Sequence, residues 1–82
     1  MACFAYIIYS EKFDKYYIGQ TDDVFTRLHR HNSGYEKFTS MYCPWRLEWH
    51  CEKATRAEAM KLEKKLKNLS KERLRQFIEK YR

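Results

Sequence analysis

The stretch "KYYIGQT" at residues 15–21 is the part of this 82-residue chain that says most about its fold. Two adjacent tyrosines and Ile18 precede Gly19, which is one of only two glycines. Aromatic and β-branched residues favour a strand, and alternate side chains of a strand point to opposite faces. Tyr17 and Gly19 therefore share one face, and Tyr16 lies on the other. A strand that ends in a turn explains the stretch, and Gly19 can also leave space beside Tyr17 for a phosphate or a water molecule.

Two further strands are predicted on either side of this stretch. The run "FAYIIY" at residues 4–9 is apolar, β-branched and aromatic, which is typical of a buried strand, and the polar segment after it is short enough for a hairpin. The run "WRLEWHC" at residues 45–51 alternates apolar and polar side chains, which indicates one buried and one exposed face. Its predicted buried residues are Trp45, Leu47, Trp49 and Cys51, and its predicted exposed residues are Arg46, Glu48 and His50.

Three helices are predicted in the rest of the chain. Residues 21–34 can form a helix that Thr21 or Asp22 caps and Gly34 ends, and residues 35–44 follow as an aromatic loop. The sequence "TRAE" from Thr55 is a capping box, and Ser70 can cap a last helix. The inward residues of these two helices are predicted to be Ala59, Leu62, Leu66 and Leu69, then Leu74, Phe77, Ile78 and Tyr81. The order β-β-α-β-α-α predicts a single α+β domain over residues 1–82 with a small antiparallel sheet.

The charge of the chain is unevenly distributed. The net charge is +6, and residues 53–82 contain 11 Lys and Arg against 4 Asp and Glu. Residues 1–52 contain 6 basic against 7 acidic residues. A basic last third suggests a polyanionic partner, with nucleic acid first, although a solvated lysine-rich helix surface would look the same.

The cysteines and the apolar runs indicate the cellular compartment of the protein. The three cysteines, Cys3, Cys43 and Cys51, form no C-x-x-C pair, and their odd number favours a reducing cytoplasm over a disulfide framework. The start of the chain lacks the basic region and cleavage site of a signal peptide. No apolar run approaches the ~20 residues of a membrane span. We therefore expect a cytoplasmic protein with no membrane partner.

Five side chains could together carry phosphodiester chemistry. Glu63 lies at the shoulder of an apolar helical stripe, Arg27 and His31 lie one turn apart, and Tyr6 and Tyr17 occupy adjacent strands. Each also has a structural explanation, namely an ion pair, a hydrogen-bonded border of the core, or packing. Cleavage needs a proton acceptor, a cation for the developing charge and a metal or acid at the leaving oxygen, which these residue types supply. Because spacing alone does not bring them together, a nuclease is one option among several nucleic-acid-binding functions.

Other kinds of site fit the sequence less well. The histidines and cysteines match no standard zinc-ligand spacing. Two glycines are too few for a P-loop or for a dinucleotide-binding loop.

The order of motifs in this chain closely resembles the GIY-YIG nuclease family. The segments "AYIIYS", "YYIGQT", "RLHRHNSG", "CPWRLEW" and "RAEAMKLEKKLK" carry the resemblance, from about Phe4 to the last helix. The resemblance is to small stand-alone bacterial members that are similar to the nuclease part of the excision-repair incision protein. The resemblance implies a three-stranded antiparallel sheet flanked by helices. It also implies a divalent-metal-dependent endonuclease of a repair or processing type that acts on nucleic acid. DNA is favoured as the substrate, and RNA remains open.

The resemblance also implies roles for single residues on the two motif strands. Tyr6 matches the tyrosine of the first motif, although Phe4 and Ala5 stand where the family has Gly-Ile. Tyr17 and Gly19 match the second motif, in which the tyrosine is the proposed general base. Since a phenol ordinarily loses its proton near pH 10, a nearby cation or metal must assist.

The remaining implied roles lie on the helices. Arg27 corresponds to the arginine that steadies the scissile phosphate, and His31 to a residue that positions phosphate or water. Glu63 corresponds to the sole carboxylate that holds one Mg²⁺ or Mn²⁺ ion. The basic last third could grip the nucleic-acid backbone, and Gln20 stands where some repair-type members have a lysine. The predicted substrate-binding residues are Gly19, Gln20, Lys64 and Lys67.

Two functions remain open at this point. The first is the metal-dependent endonuclease, which a protein partner could target to its substrate. The second is a non-catalytic nucleic-acid-binding module that keeps the nuclease fold.

Overall fold

A β-hairpin begins the fold in the computed structural model, which describes residues 2–82. Strand β1 (Cys3–Ser10) and strand β2 (Lys15–Thr21) form this hairpin, and helix α1 (Val24–Asn32) follows. A short helix α2 (Lys37–Ser40) precedes strand β3 (Arg46–Lys53). Helices α3 (Arg56–Lys67) and α4 (Lys71–Tyr81) complete the chain.

The three strands form one antiparallel sheet in the order β2-β1-β3, which confirms the predicted α+β architecture. The central strand β1 is the most buried, since Ala5, Ile7 and Ile8 are all 0% exposed. Tyr6 lies opposite Gly19 of β2 and His50 of β3. The middle of β1 therefore has a neighbouring strand on each side.

The helices cover the two faces of this sheet separately. On one face Ile7 and Ile18 pack with residues of α3 and α4, among them Leu66. On the other face Tyr6 packs with Val24 of α1. We refer to these as the α3 face and the α1 face. Tyr17 packs on the α1 face and Tyr16 on the α3 face, as the alternation along β2 predicts.

Strand β3 does not keep the single buried face that its alternation predicts. Its register against β1 shifts so that Ile7 pairs with Trp49 while Ile8 pairs with Leu47. The extra residue, Glu48, forms a β-bulge, and a bulge reverses the faces of the residues beyond it. Leu47 therefore packs on the α1 face and Trp49 on the α3 face. The prediction that they share a face was wrong because a bulge leaves no trace in the alternation.

The ends of α1 differ slightly from the prediction. Asp23 is the N-cap, and its side chain accepts a hydrogen bond of 3.1 Å from the Thr26 N–H. The cap therefore lies one or two residues after the predicted Thr21 or Asp22. Gly34 follows the end of the helix with φ +84°, a left-handed conformation that suits glycine.

Helix α2 lies within the segment that was predicted to be a loop. Four residues are too few to show a helical period in the sequence. The helix is instead held by a tertiary contact, because the Trp45 indole Nε1–H donates to the Thr39 carbonyl at 2.8 Å.

The last two helices begin at the predicted residues. Thr55 and Ser70 are their N-caps, and each side chain accepts a hydrogen bond from a backbone N–H in the first turn. Leu74 and Ile78 are buried as predicted, but Tyr81 is 55% exposed because α4 ends there. Among residues 2–82 no helix is long and apolar enough to cross a membrane.

Candidate active site

The phenol of Tyr6 fills the space above Gly19. Tyr6 is 1% exposed, and a Cβ atom on Gly19 would lie 2.6 Å from the Tyr6 hydroxyl oxygen and 2.7 Å from Cζ. The expectation that Gly19 leaves room for a phosphate or water beside Tyr17 was therefore wrong. The strand register places the two residues opposite each other. The absent side chain of Gly19 makes room for a tyrosine ring of the protein itself.

A chain of buried hydrogen bonds begins at the Tyr6 hydroxyl. This hydroxyl lies 2.9 Å from His31 Nε2, and His31 Nδ1 lies 2.8 Å from Thr39 Oγ1. The Thr39 hydroxyl donates to the Glu36 carbonyl at 3.4 Å. The Thr39 hydroxyl oxygen can then accept a hydrogen bond from His31 Nδ1–H. His31 Nε2 therefore carries the lone pair and accepts a hydrogen bond from the Tyr6 hydroxyl. We assign this tautomer because it satisfies every group in the chain of bonds.

Burial keeps both members of the Tyr6–His31 pair neutral. It raises the pKa of Tyr6 to about 12, against the opposing effect of the nearby Arg27 guanidinium. Burial also lowers the pKa of His31, and the positive charge of Arg27 lowers it further. Since His31 is 0% exposed, this pair acts on the site through the side chains that it holds in place.

The lowered pKa of His31 predicts a pH-dependent stability. Between the unfolded pKa of about 6.5 and the lower folded pKa, the unfolded state binds more protons, so the free energy of unfolding falls as the pH decreases. We expect the urea midpoint to decrease from pH 6.5 to pH 5, and His31→Gln to flatten this decrease. Hydrogen bonds from Tyr9 and Lys71 lower the pKa of Asp14 to about 2, so Asp14 affects the free energy of unfolding only at more acidic pH.

A variant that keeps only this histidine is the matched control for the pH dependence. His29 and His50 are both exposed. The double variant His29→Gln/His50→Gln should retain the full decrease. Loss of the decrease in this variant would show that the buried histidine is not its source.

Tyr17 is fixed by the rings around it. Its ring centroid lies 4.9 Å from that of His31, 6.5 Å from that of Tyr6 and 6.2 Å from that of Trp45. Tyr17 is half-buried and also lines an open groove along β2. Unlike Tyr6, it is therefore accessible from solvent.

Arg27 places a cation between α1 and the two phenols. Its Nη1 lies 3.3 Å from Glu36 Oε1, and its side chain is 32% exposed. Its pKa is raised by the Tyr6 hydroxyl first, and then by Glu36 and Tyr17. The Nε atom is buried and has no hydrogen-bond partner within residues 2–82. Because a buried donor without a partner is costly, this atom is a candidate position for an acceptor such as a phosphate oxygen.

Glu63 approaches the site from α3. Its side chain is 19% exposed, and Lys67 Nζ lies 2.9 Å from Oε2. Burial is the main cause of the raised pKa of Tyr6, and the negative charge of Glu63 raises it further. The carboxylate therefore lies within electrostatic reach of the phenol. The structure therefore places Tyr6, Tyr17, Arg27 and His31 together, with the Glu63 carboxylate within electrostatic reach of them. Tyr17, Arg27 and Glu63 are partly exposed.

The donor set around Glu63 suits one hydrated ion. Within residues 2–82, no three His, Cys, Asp or Glu side chains cluster as metal ligands. Mg²⁺ keeps much of its water shell and is often held by one or two carboxylates together with substrate phosphates. A single accessible carboxylate fits that requirement, and an ion there would compete with the Lys67 ammonium.

The four predicted substrate-binding residues lie in different environments. Gly19 is buried under the Tyr6 ring. Gln20 pairs with Ala5, and the pleat places it on the α3 face, opposite to Tyr17. Lys64 is exposed on α3, and Lys67 is 53% exposed and lines the groove along β2.

Residues that the sequence did not single out support the site. The Trp45 backbone N–H donates to Asn32 Oδ1 at 2.6 Å, and Asn32 Nδ2 donates to the Trp45 carbonyl at 3.0 Å. Together with the Thr39 and Glu36 contacts, these bonds tie α1, α2 and β3 together. None of the four residues has a spacing or motif that predicts this role, because the bonds depend on how α1, α2 and the residue before β3 pack together.

Comparisons with known proteins show the family of this chain. The model of the GIY-YIG catalytic domain family matches residues 2–81. The chain belongs to the GIY-YIG family. A solution NMR structure, that of UPF0213 protein BH0048 from Bacillus halodurans, is similar to this GIY-YIG chain with a TM-score of 0.62 and 31% sequence identity. The similarity covers 96% of this chain and 84% of that one. A search of curated proteins found no match.

Proposed function

We propose that this GIY-YIG chain is a divalent-metal-dependent endonuclease that hydrolyses phosphodiester bonds, with DNA rather than RNA as substrate, in nucleic-acid repair or processing. The observation that carries the proposal is the Arg27 cation, which lies within electrostatic reach of both phenols and has a buried Nε donor without a partner in the described chain. Membership of a family of nuclease domains supports it. A cytoplasmic location, which the three free cysteines favour, is part of the proposal.

Each accessible residue has one task in the proposed reaction. Glu63 would hold the Mg²⁺ or Mn²⁺ ion, which would supply positive charge at the scissile phosphate. Arg27 stabilises the additional negative charge that develops on the phosphate oxygens. Tyr17 first loses its phenol proton to solvent with the help of the nearby positive charge. The phenolate then accepts the proton of the attacking water as the new P–O bond forms. The P–O bond to the leaving oxygen breaks, and this oxygen takes a proton from solvent.

The buried pair has a positioning task. The rings of Tyr6 and His31 pack beside the Tyr17 ring, with centroids 6.5 and 4.9 Å away. Because the two are joined by a hydrogen bond, they limit the movement of the phenol toward the core. Correct placement of a reacting group is itself worth several kcal/mol of the barrier.

A substrate panel tests the proposed function. Purified protein is incubated with branched, flapped, single-stranded and duplex DNA, and with the matching RNAs, in Mg²⁺, Mn²⁺ or EDTA. We expect cleavage of at least one DNA in the presence of either ion and none in EDTA. The absence of cleavage above a Glu63→Gln control on every substrate would count against an endonuclease.

One observation favours the alternative of a non-catalytic binding module. The Tyr6 hydroxyl and both His31 nitrogens are used internally, and Lys67 pairs with the Glu63 carboxylate. A binding module would bind nucleic acid in EDTA with an affinity that falls steeply with salt. Its Glu63→Gln variant would show no metal-dependent difference in any assay, whereas the endonuclease would lose cleavage.

A further inference from the structure

Three aromatic rings are gathered on the surface beside β2. Phe13 is 47% exposed and Phe38 is 53% exposed. The half-buried ring of Tyr42 lies between them, with its centroid 5.4 Å from each. The Lys15 ammonium lies over this group, 4.6 Å from the Tyr42 centroid and 5.5 Å from that of Phe38. We call these three rings the aromatic platform.

The aromatic platform is anchored to the fold. Ser10, which is fully buried at the end of β1, donates a hydrogen bond of 2.6 Å to the Tyr42 carbonyl. The Tyr42 ring also packs against that of Trp45 at 6.4 Å between centroids, and Trp45 is buried. The rings are therefore presented on a fixed support, and a group of exposed aromatic side chains on such a support marks an interaction surface.

A groove of about 600 Å³ connects the platform with the candidate active site. Phe13 and Tyr42 form part of its wall, and Tyr17 forms another part. Lys67 of α3, which pairs with Glu63, also lines the groove. A molecule held on the platform would therefore extend toward both the proposed proton acceptor and the proposed metal ligand.

The charge of the groove suits a phosphate backbone. Lys15 and Lys67 line it, and the third lysine in its lining, Lys71, pairs with its single acid, Asp14. Asp14 is already neutralised within the protein by ion pairs with Lys71 and Arg75. Aromatic rings interleaved with cations are the arrangement that binds single strands, because bases stack on the rings while the cations follow the backbone.

We propose that the groove along β2 binds an unpaired strand of nucleic acid, with bases stacked on Phe13, Phe38 and Tyr42 and with phosphates near Lys15 and Lys67. The bases must be unpaired because a duplex presents their edges rather than their faces. This inference rests on the proposed function and specifies its substrate class, which is a nucleic acid with a single-stranded segment that enters the site past Tyr17.

Binding measurements without metal test the groove separately from cleavage. Fluorescence anisotropy in EDTA compares labelled oligo-dT and oligo-rU of about 15 nucleotides with a duplex of the same length. We expect the single strands to bind more tightly than the duplex. Phe13→Ala and Phe38→Ala should each weaken single-strand binding by about 5- to 150-fold, the value of one base–aromatic stack. Comparison of dT with rU reports whether the strand is DNA or RNA.

Tyr81 offers a matched control on the other edge of the sheet. It is 55% exposed and has the Lys80 ammonium 5.4 Å from its ring centroid, but its backbone carbonyl accepts from Trp49 of β3. Tyr81→Ala should leave single-strand binding unchanged. Thermal melting checks that each variant is folded.

Three results would overturn the groove proposal. These are equal affinity for duplex and single strand, unchanged binding of folded Phe13→Ala and Phe38→Ala, or no binding of any oligonucleotide by the folded wild-type chain. The last result would leave a protein segment as the occupant of this exposed edge. Because the binding assay contains no metal, it can confirm single-strand binding in the groove even if the protein cleaves nothing. Cleavage of duplex substrates alone would support the proposed endonuclease but contradict single-strand binding in the groove.

Discussion

Glu63→Gln is expected to lower the rate of cleavage by at least about 100-fold, or about 2.7 kcal/mol of transition-state stabilisation. Glutamine keeps the size and the helix propensity of the side chain but removes the charge that is proposed to hold the divalent ion. Lewis-acid stabilisation by such an ion is worth several kcal/mol. The loss should appear in kcat and should shift the dependence of the rate on Mg²⁺ or Mn²⁺ to higher concentration.

The fold should tolerate this substitution. The pair between Glu63 and Lys67 has i, i+4 spacing and a half-exposed lysine, and such pairs contribute about 0.3–0.5 kcal/mol. The melting temperature should therefore change little. A large fall in melting temperature would mean that the carboxylate has a structural role that the ion pair does not reveal.

Glu58→Gln is the matched control on the same helix. Glu58 is exposed in the first turn of α3, outside the groove and the candidate active site. The Glu58→Gln variant should cleave at the wild-type rate with the wild-type dependence on metal. Equal losses in the two variants would show that the general negative charge of α3, rather than metal binding, is responsible.

Gly19→Ala is expected to destabilise the fold by about 1–3 kcal/mol, the usual cost of overpacking a core. The added Cβ would lie 2.6 Å from the Tyr6 hydroxyl oxygen, a distance that real Cβ contacts do not reach. The ring cannot move away freely, because Tyr6 is buried and its hydroxyl is bonded to His31. For a domain of this size the melting temperature should fall by roughly 4–8 °C per kcal/mol.

A second substitution separates this steric effect from a backbone effect. Tyr6→Phe would not relieve the contact, because Cζ is itself 2.7 Å from the new Cβ. In a Tyr6→Leu background, Gly19→Ala should cost much less than in the wild type. The same cost in both backgrounds would show that the Tyr6 ring is not the obstacle.

The other glycine provides the contrasting case. A Cβ on Gly34 would meet no atom within 4 Å, but the residue has φ +84°. Gly34→Ala should therefore cost about 1–2 kcal/mol through the left-handed backbone alone. That cost should not depend on the residue at position 6.

Several elements of the fold could be predicted because their signals are local. The alternation along β2, the capping box at Thr55 and the cap at Ser70 each act within a few residues. The structure confirms these elements and the three-stranded antiparallel sheet. The bulge at Glu48 and the short helix α2 were missed, because the first depends on a partner strand and the second on the contact between Trp45 and Thr39.

The candidate site was predicted less completely than the fold. The motif resemblance selected five residues, and the structure places four of them together with the Glu63 carboxylate within electrostatic reach. It did not indicate that Tyr6 and His31 would be buried while Tyr17, Arg27 and Glu63 remain accessible. Burial depends on which helix covers which face of the sheet, and spacing along the chain does not contain that information.

The sequence by itself determined that "KYYIGQT" is a strand with Tyr17 and Gly19 on one face, because the pleat of a strand is a property of neighbouring residues. Only the tertiary structure decided what fills the space above Gly19. The register between β1 and β2 places the Tyr6 ring there, and His31, 25 residues further along the chain, holds its hydroxyl. The groove along β2 is likewise a product of packing, since its walls come from the hairpin, the segment after α2, and α3 and α4.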